Sequence, residues 1–399
     1  MASVAIVGAG PAGLMAAEVI SEVGHEVTIF EKMPSPARKF LMAGLGGLNI
    51  THEGSLEELT NGYFYLPAEL KKAIEAFPHE ALGGWVEELG EPVFVGSSGK
   101  IFPQCFKTSP LLRSWLRRLE QNKVQLLTRH TWTGFGDNSE LTFETSEGVS
   151  VSHNFDAVVF TMGGASWPRL GSDGEWRGQL EKFVDIEPFK PSNMGVNIAW
   201  SDHLKGKFAG TPIKAIELNC ESQTVAGELL LTIYGLEGSA IYAMSAFLRD
   251  QLSEGTAQIS IDMRPGQSEE ALATRLEKVP AKQSLSNCLR RALKFTSVET
   301  ALVYEAGPPP SDSHALARLV KHLPLVANGI QGLERAISSA GGVETHSLTE
   351  DFMFKDRPGF FAAGEMLNFD APTGGYLLQA CMSSGRQAGQ GVLHFLAQP

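Results

Sequence analysis

Long apolar runs are the first thing this sequence lacks: no uninterrupted stretch approaches the roughly eighteen residues that a membrane-spanning helix needs. The amino terminus, MASVAIVGAG, has no basic leader and no apolar segment followed by a cleavage site, so a cytoplasmic protein with no membrane partner is expected. Cysteine is scarce. Cys105, Cys220, Cys288 and Cys381 stand far apart, and no pair has the Cys-x-x-Cys or Cys-x4-Cys spacing of a redox dithiol or a metal knuckle. The 10 His residues show neither a His-x3-His nor an HExxH pattern, and no metal site is expected. Positive charge is also in deficit, with 33 Lys and Arg against 45 Asp and Glu, a net charge of −12 and a pI near 5.4. That balance argues against a sequence-independent grip on nucleic acid or an anionic surface. The basic pairs in WLRRL, around Arg117, and LRRAL, around Arg290, read as solvated helix faces.

What is present is a chain of 399 residues, 43% apolar and 20% charged, long enough for two domains and a large core. Its first thirty residues read most clearly. SVAIVGAG is a β-forming run ending in glycines, PAGLMAAEVISEVG has helical apolar spacing and stops at Gly24, and HEVTIFE is a second strand ending at Glu31. The motif Gly8-x-Gly10-x-x-Gly13 therefore sits between a strand and a helix, where a dinucleotide pyrophosphate can meet the helix amino terminus. Glu31 stands at the carboxyl end of the second strand, placed to accept hydrogen bonds from both ribose hydroxyls.

Further strands are expected at VQLLTR (Val124 to Arg129), LTFETS, DAVVFTM (Asp156 to Met162) and GFFAAGE (Gly359 to Glu365), with a closing helix that begins near Gly375. Between Pro191 and Asn328 the character changes. MGVNIAW, AIELNC, GELLLTIY and AQISIDM read as antiparallel strands, and SEEALATRLEKV, SLSNCLRRALKF, SVETALVYEA and SHALARLVKHL as helices; GPPPSDS breaks two of these helices apart. The expected architecture is α/β: a doubly wound, glutathione-reductase-like Rossmann domain over residues 1–190 and 336–399, interrupted by a mixed β-barrel and helical domain over 191–335.

Glu31 suits NAD or FAD alike, but glycine-rich turns recur at Gly163-Gly164, Gly364-Glu365 and Gly374-Gly375, the last two about 360 residues from the Gly8 motif. A longer ligand, with a ribityl chain and a flavin ring beyond its pyrophosphate, needs that additional backbone, and the closing helix could aim its positive end at the flavin's pyrimidine carbonyl. The blocks VAIVGAGPAGLMAA, RKFLMAGLGGLNITH, TMGGASWPRLGSDGEW, GELLLTIYGLEG, AGGVET and GFFAAGEMLNFDAPTGGYLLQACMSSG resemble, in order, those of the BaiN/YhiN-like flavoproteins, also grouped as aminoacetone-oxidase-family FAD-binding enzymes. The resemblance implies noncovalent FAD, hydride transfer through flavin N5, and an association with reduction of carbon–carbon double bonds in steroid-like substrates. Carried over by position, it implies that Gly8, Gly10, Pro11, Ala12 and Gly13 meet the pyrophosphate and Glu31 the ribose, with Lys32, Lys39 and Trp132 toward the adenosine end. Gly163 and Gly164 would close over the dinucleotide, and Gly364, Glu365, Gly374, Gly375 and Gln379 would line the flavin end. The second glycine run, KFLMAGLGGLN, lacks a preceding apolar strand and a following amphipathic helix, and is expected to pass along the same ligand through Gly46 and Asn49. Two positions depart from the family: Leu45 and Ile233 stand where a basic residue, or a His or Arg, is common.

A flavin needs a substrate placed against N5 and a proton donor, for which Tyr234, Tyr242, His314 and Tyr376 are candidates, none of them singled out as the catalytic group. There is no second Gly-x-Gly-x-x-Gly motif after a strand, so NAD(P)H is expected only as a transient electron donor. The expected function is FAD-dependent oxidation or reduction of an organic small molecule. Two alternatives stay open, an FAD-dependent RNA-modifying protein and a noncatalytic flavin-binding redox protein.

Overall fold

The structure is a computed structural model that describes residues 1–44, 46–137, 140–280 and 282–398; the family departure at Leu45 lies outside the described residues. The chain forms two compact units, one running from Met1 to Ser192 and again from Ile337 to the carboxyl end, the other spanning Asn193–Ala336.

The first unit is built on a parallel sheet of five strands. Across the sheet they run Phe360–Ala362, Ala157–Phe160, Ser3–Val7, Glu26–Glu31 and Gln125–Thr128. The chain thus starts in the middle, builds outward on one side, and returns to build on the other. Such a reversal leaves a crevice beyond the carboxyl ends of the two strands that flank it, Ser3–Val7 and Ala157–Phe160, and this is where open α/β sheets take their ligands. Both strands are almost fully buried, as befits strands covered on two faces. Helix Pro11–Glu22 covers one face and packs on the closing helix Tyr376–Leu396.

Arg118 is not on a solvated face. The first helix carries a buried carboxylate, Glu18, which accepts from the indole N–H of Trp85 at 3.0 Å and of Trp115 at 2.5 Å and from the Arg118 guanidinium at 2.8 Å. A buried charge needs such partners. WLRRL therefore supplies core contacts as well as surface.

The second unit is a closed six-stranded barrel ordered Val196–Ile198, Gly235–Glu237, Gln223–Leu231, Pro212–Cys220, Ala257–Asp262 and Leu323–Ile330. Helices Glu269–Glu277, Leu285–Leu293, Ser297–Glu305 and Ser313–Lys321 belong to it, and it has its own core, in which Leu218, Leu229, Ile259 and Leu302 are buried. The strand Leu323–Ile330 was not anticipated. Its Pro324, Asn328 and Gly329 disguise an alternation in which Leu323, Leu325 and Ala327 point inward.

Candidate cofactor and active site

The first strand is followed by Gly8, whose φ of +106° is the left-handed conformation that glycine adopts freely; a Cβ there would lie 2.4 Å from the Thr161 carbonyl oxygen. Thr161, just past the neighbouring strand, donates its hydroxyl to the carbonyls of Val7 (3.1 Å) and Gly8 (2.8 Å), so the two strand ends are tied together. Gly13 is small for packing: its Cβ would sit 2.1 Å from the Gly8 carbonyl oxygen. Gly10 differs. A Cβ there would meet nothing within 4 Å, it caps the helix in an extended conformation, and no side chain caps the first turn. Pro11 has no N–H to offer, which leaves the N–H groups of the next residues and the positive helix end free for an anion.

These residues line a cleft of about 390 Å³ confined to the first unit. Of the residues expected at the cofactor, Gly8, Gly10, Pro11, Ala12, Glu31, Lys32, Lys39, Trp132, Gly163, Gly364 and Glu365 all line it. Glu31 accepts from the Ala9 N–H at 2.9 Å and the Met33 N–H at 2.8 Å. Burial raises its carboxyl above the ordinary range, while those two N–H groups, Lys32 and Arg38 pull it back. Lys32 is paired with Asp173. Lys39 donates to Ser166 Oγ at 2.5 Å and to both Glu365 oxygens at 2.8 and 2.6 Å, a link across 326 positions of sequence. Glu365 also accepts from the Ser339 N–H at 3.1 Å, so a buried carboxylate stays compensated.

The cleft is unfinished in one respect. Trp132 Nε1 and Ser172 Oγ, on two residues of its lining, and Arg38 Nε, on a third, are buried atoms with no hydrogen-bond partner among the described residues. Buried polar atoms are rarely left so, and each points to a ligand or water that completes it. Two indole and guanidine donors, a hydroxyl, an acid on the ribose side and an uncapped helix end suit the polar half of a dinucleotide. The residues present therefore fit FAD. Arg38, Ser172 and Asp173 were not anticipated, although RKF and GSDG lie within blocks already singled out. Cys381 also lines the cleft, but burial, with Glu365 nearby, pushes its thiol up to about 12, which leaves it neutral and poorly nucleophilic.

Other expected residues lie elsewhere. Gly13, Gly46, Asn49, Gly164, Gly374, Gly375 and Gln379 do not line this cleft. Gln379 is fully buried; its Oε1 accepts from Thr51 Oγ1 at 2.7 Å and its Nε2 donates to the Phe77 carbonyl at 2.7 Å, a structural bracket. Gly375 precedes the closing helix in a left-handed conformation, and its missing Cβ leaves room for the Thr51 backbone at 2.6 Å. Gly164 abuts Ser339. A Cβ on Gly46 would meet open space, and Asn49 Oδ1 is a buried atom without a partner among the described residues. Tyr376, at the first position of the closing helix, is raised by burial, and the Tyr63 hydroxyl donates to its carbonyl at 2.8 Å.

In the second unit Tyr234 and Tyr242 both donate to Glu237, the latter at 3.3 Å. Burial, reinforced by that carboxylate, pushes the Tyr234 phenol up to about 12 and Tyr242 higher still. Glu237 was not anticipated. His314 is exposed, 3.6 Å from Glu277, and Ile233 is 65% exposed. Among the described residues no group of three or more His, Cys, Asp or Glu could hold a metal, and no helix is long and apolar enough to cross a membrane.

Similarity to known proteins agrees with this layout. A 3-dehydro-bile acid delta(4,6)-reductase of Clostridium scindens is 24% identical over 415 residues, covering 98% of each chain. A ribosomal RNA dihydrouridine synthase of Haemophilus influenzae is 24% identical over 395 residues, covering 95% of each. Among solved structures, the open conformation of a flavocytochrome c3 fumarate reductase superposes with a TM-score of 0.52 at 14% identity, over 100% of this chain and 79% of that one, a likeness of fold. The family model described as HI0933-like protein Rossmann domain matches residues 2–391, and the chain belongs to that family, the one its glycine blocks resemble.

Proposed function

We propose that this protein reduces a carbon–carbon double bond conjugated to a carbonyl group. It is an FAD-dependent oxidoreductase, and the finer reading comes from what two differently named relatives have in common. A 3-oxo steroid with 4,6 unsaturation and a uracil ring both present a double bond polarised by a carbonyl, the kind of acceptor that takes a hydride at its β carbon. The observation that carries the reading is that one cleft is lined both by Gly8, Gly10, Glu31 and Lys39 and by Gly364 and Glu365, a second grip on the ligand far from the first in sequence.

FAD, when bound, supplies the hydride from its ring. The chain's own residues hold it. The first turn of helix Pro11–Glu22 takes the pyrophosphate with its N–H groups and dipole. Glu31 accepts from the ribose, and Trp132, Ser172 and Arg38 spend their free donors on the same half. Lys39 pairs with Glu365, and that carboxylate would accept from ribityl hydroxyls. Tyr234 and Tyr242 in the second unit remain protonated at neutral pH, and replacing each with Phe tests whether either supplies a proton.

The purified protein is expected to show an oxidised-flavin spectrum and to bleach with NADH, NADPH or dithionite under anaerobic conditions. Its reduced form is then mixed with a 3-oxo-4-ene steroid or an unmodified ribosomal RNA transcript, with the saturated ketone and a uridine-free RNA as controls. Reoxidation by an unsaturated acceptor and not by its control supports the reading. A colourless protein, or a reduced flavin indifferent to both acceptors, overturns it.

A further inference from the structure

The net charge of −12 is not evenly spread. Residues 193–336 carry 14 Lys and Arg against 15 Asp and Glu, whereas the rest of the chain carries 19 against 30. The acidic average that argued against a polyanion partner belongs almost wholly to the cofactor-bearing unit. Within the other unit the charges are sorted. From Lys278 to Val298 there is no acidic residue, yet there are five cations, Lys278, Lys282, Arg290, Arg291 and Lys294, all exposed.

Their placement follows from the helix they surround. Leu285–Leu293 buries Leu289, Ala292 and Leu293 and leaves Arg290 and Arg291 outward; Lys294, one turn beyond Arg290, forms the carboxyl cap in a left-handed conformation. Lys278 caps the preceding helix, Glu269–Glu277, and Lys282 lies in the connection between the two. Among the described residues none of the five is held in an ion pair, and Arg290 donates only to Asn287 Oδ1, at 2.8 Å. The flanking acids are committed: Glu277 faces His314, while Glu299 is buried, caps Thr296 and pairs with Arg264 at 2.7 Å. Cations at a helix carboxyl end gain from its dipole. That accounts for Arg290, Arg291 and Lys278, but not for Lys282, nor for an uncompensated run of this length.

We propose that this exposed cationic stretch is a docking site for RNA, gripping phosphates with Lys282, Arg290, Arg291 and Lys294. Guanidinium and ammonium groups free of ion-pair partners are what phosphate contacts require. The inference rests on the reductase reading in one respect, that the reducible base would be a uridine presented on that RNA.

The test is fluorescence anisotropy of the FAD-loaded protein with a labelled, uridine-containing RNA hairpin over a range of salt, compared with K282E/R290E/R291E/K294E. The wild type is expected to bind with strong salt dependence. The variant should bind at least about tenfold more weakly at low salt, with a log–log salt slope shallower by about 3, each lost phosphate contact contributing about 0.7–0.9. R290K/R291K, which keeps the charge, should retain binding. Retained flavin colour and melting temperature show that a variant is folded; should the fourfold variant fail that check, R290A/R291A at the same exposed positions gives the reading. Equal affinity of variant and wild type, no binding by the wild type at low salt, or binding to phosphatidylserine vesicles but not RNA overturns the proposal. RNA binding with no flavin reoxidation by any acceptor removes the reductase reading and leaves the surface standing.

Discussion

At the scale of the residue, Glu31 serves two masters. Its carboxylate accepts two backbone N–H groups that shape the turn, and its remaining lone pairs face the cleft. Because burial raises its folded pKa above the ordinary 4.5, folding disfavours the ionised form. Stability of the empty protein should therefore improve as pH falls through that raised value. Affinity for FAD should fall in the same window, because the role proposed for Glu31 at the ribose needs an ionised acceptor. Glu31→Gln must turn an amide NH2 toward either the Ala9 or the Met33 N–H, leaving a donor facing a donor. Loss of the ionised acceptor should in addition cost about 1–3 kcal/mol in FAD binding, roughly five- to 150-fold, and the acid-side pH dependence of affinity should flatten. Titration of the apoprotein with FAD by flavin fluorescence between neutral pH and 4.5 measures both; unchanged affinity at neutral pH would remove Glu31 from the cofactor site.

At the scale of the element, the first helix is positioned by the last. Gly385, within Tyr376–Leu396, presents bare backbone to Ala12, and a Cβ there would lie 2.3 Å from the Ala12 carbonyl oxygen and 2.8 Å from its Cα. Backbone cannot yield as a side-chain tip does. Gly385→Ala should cost about 1–3 kcal/mol and displace the helix end proposed to take the pyrophosphate, lowering both melting temperature and FAD affinity. Gly178→Ala, exposed and with nothing within 4 Å of the new methyl, is the control and should change neither. In the inserted unit the helix Ser297–Glu305 depends on Glu299, which accepts from the Thr296 N–H at 2.6 Å and pairs with Arg264. Burial raises its carboxyl, but the Arg264 and Thr296 hydrogen bonds outweigh that and hold it below the ordinary value. A depressed folded pKa contributes stability above pH 4.5 that is lost as pH falls through the folded value. Glu299→Gln should lower stability by about 1 kcal/mol at neutral pH and much less once Glu299 is protonated, a convergence that urea unfolding of the two proteins at both conditions would reveal.

At the scale of the whole molecule, what could be read from the sequence is what local physics writes locally. The turn from Ser3 to Gly13, the acid at Glu31 and the strand-helix periods are each set within a dozen residues, and they specify the doubly wound core. Lys39 with Glu365, or Gln379 bracketing Thr51 and Phe77, depend on contacts more than 300 residues apart, which no window shows. Gln379 illustrates the difficulty: a polar residue in a glycine-rich block reads as a ligand contact, whereas here the fold uses both ends of its amide internally. The same long separations make the carboxyl-terminal stretch indispensable to a site whose motif is at the other end. Phe360–Ala362 completes the central sheet beside Ala157–Phe160, Glu365 faces Lys39, and Tyr376–Leu396 buries the first helix. A chain stopped after Ala336 keeps the Gly8 to Gly13 motif intact and loses all three. Were that motif sufficient, the shortened chain would be soluble and yellow; the expected outcome is an aggregated, colourless product, since the edge of the sheet and the apolar face of the first helix are left bare. Supplying residues 337–399 as a separate chain during refolding should restore flavin absorbance in part, and a soluble, flavin-loaded truncated chain would show that the second grip on the ligand is dispensable.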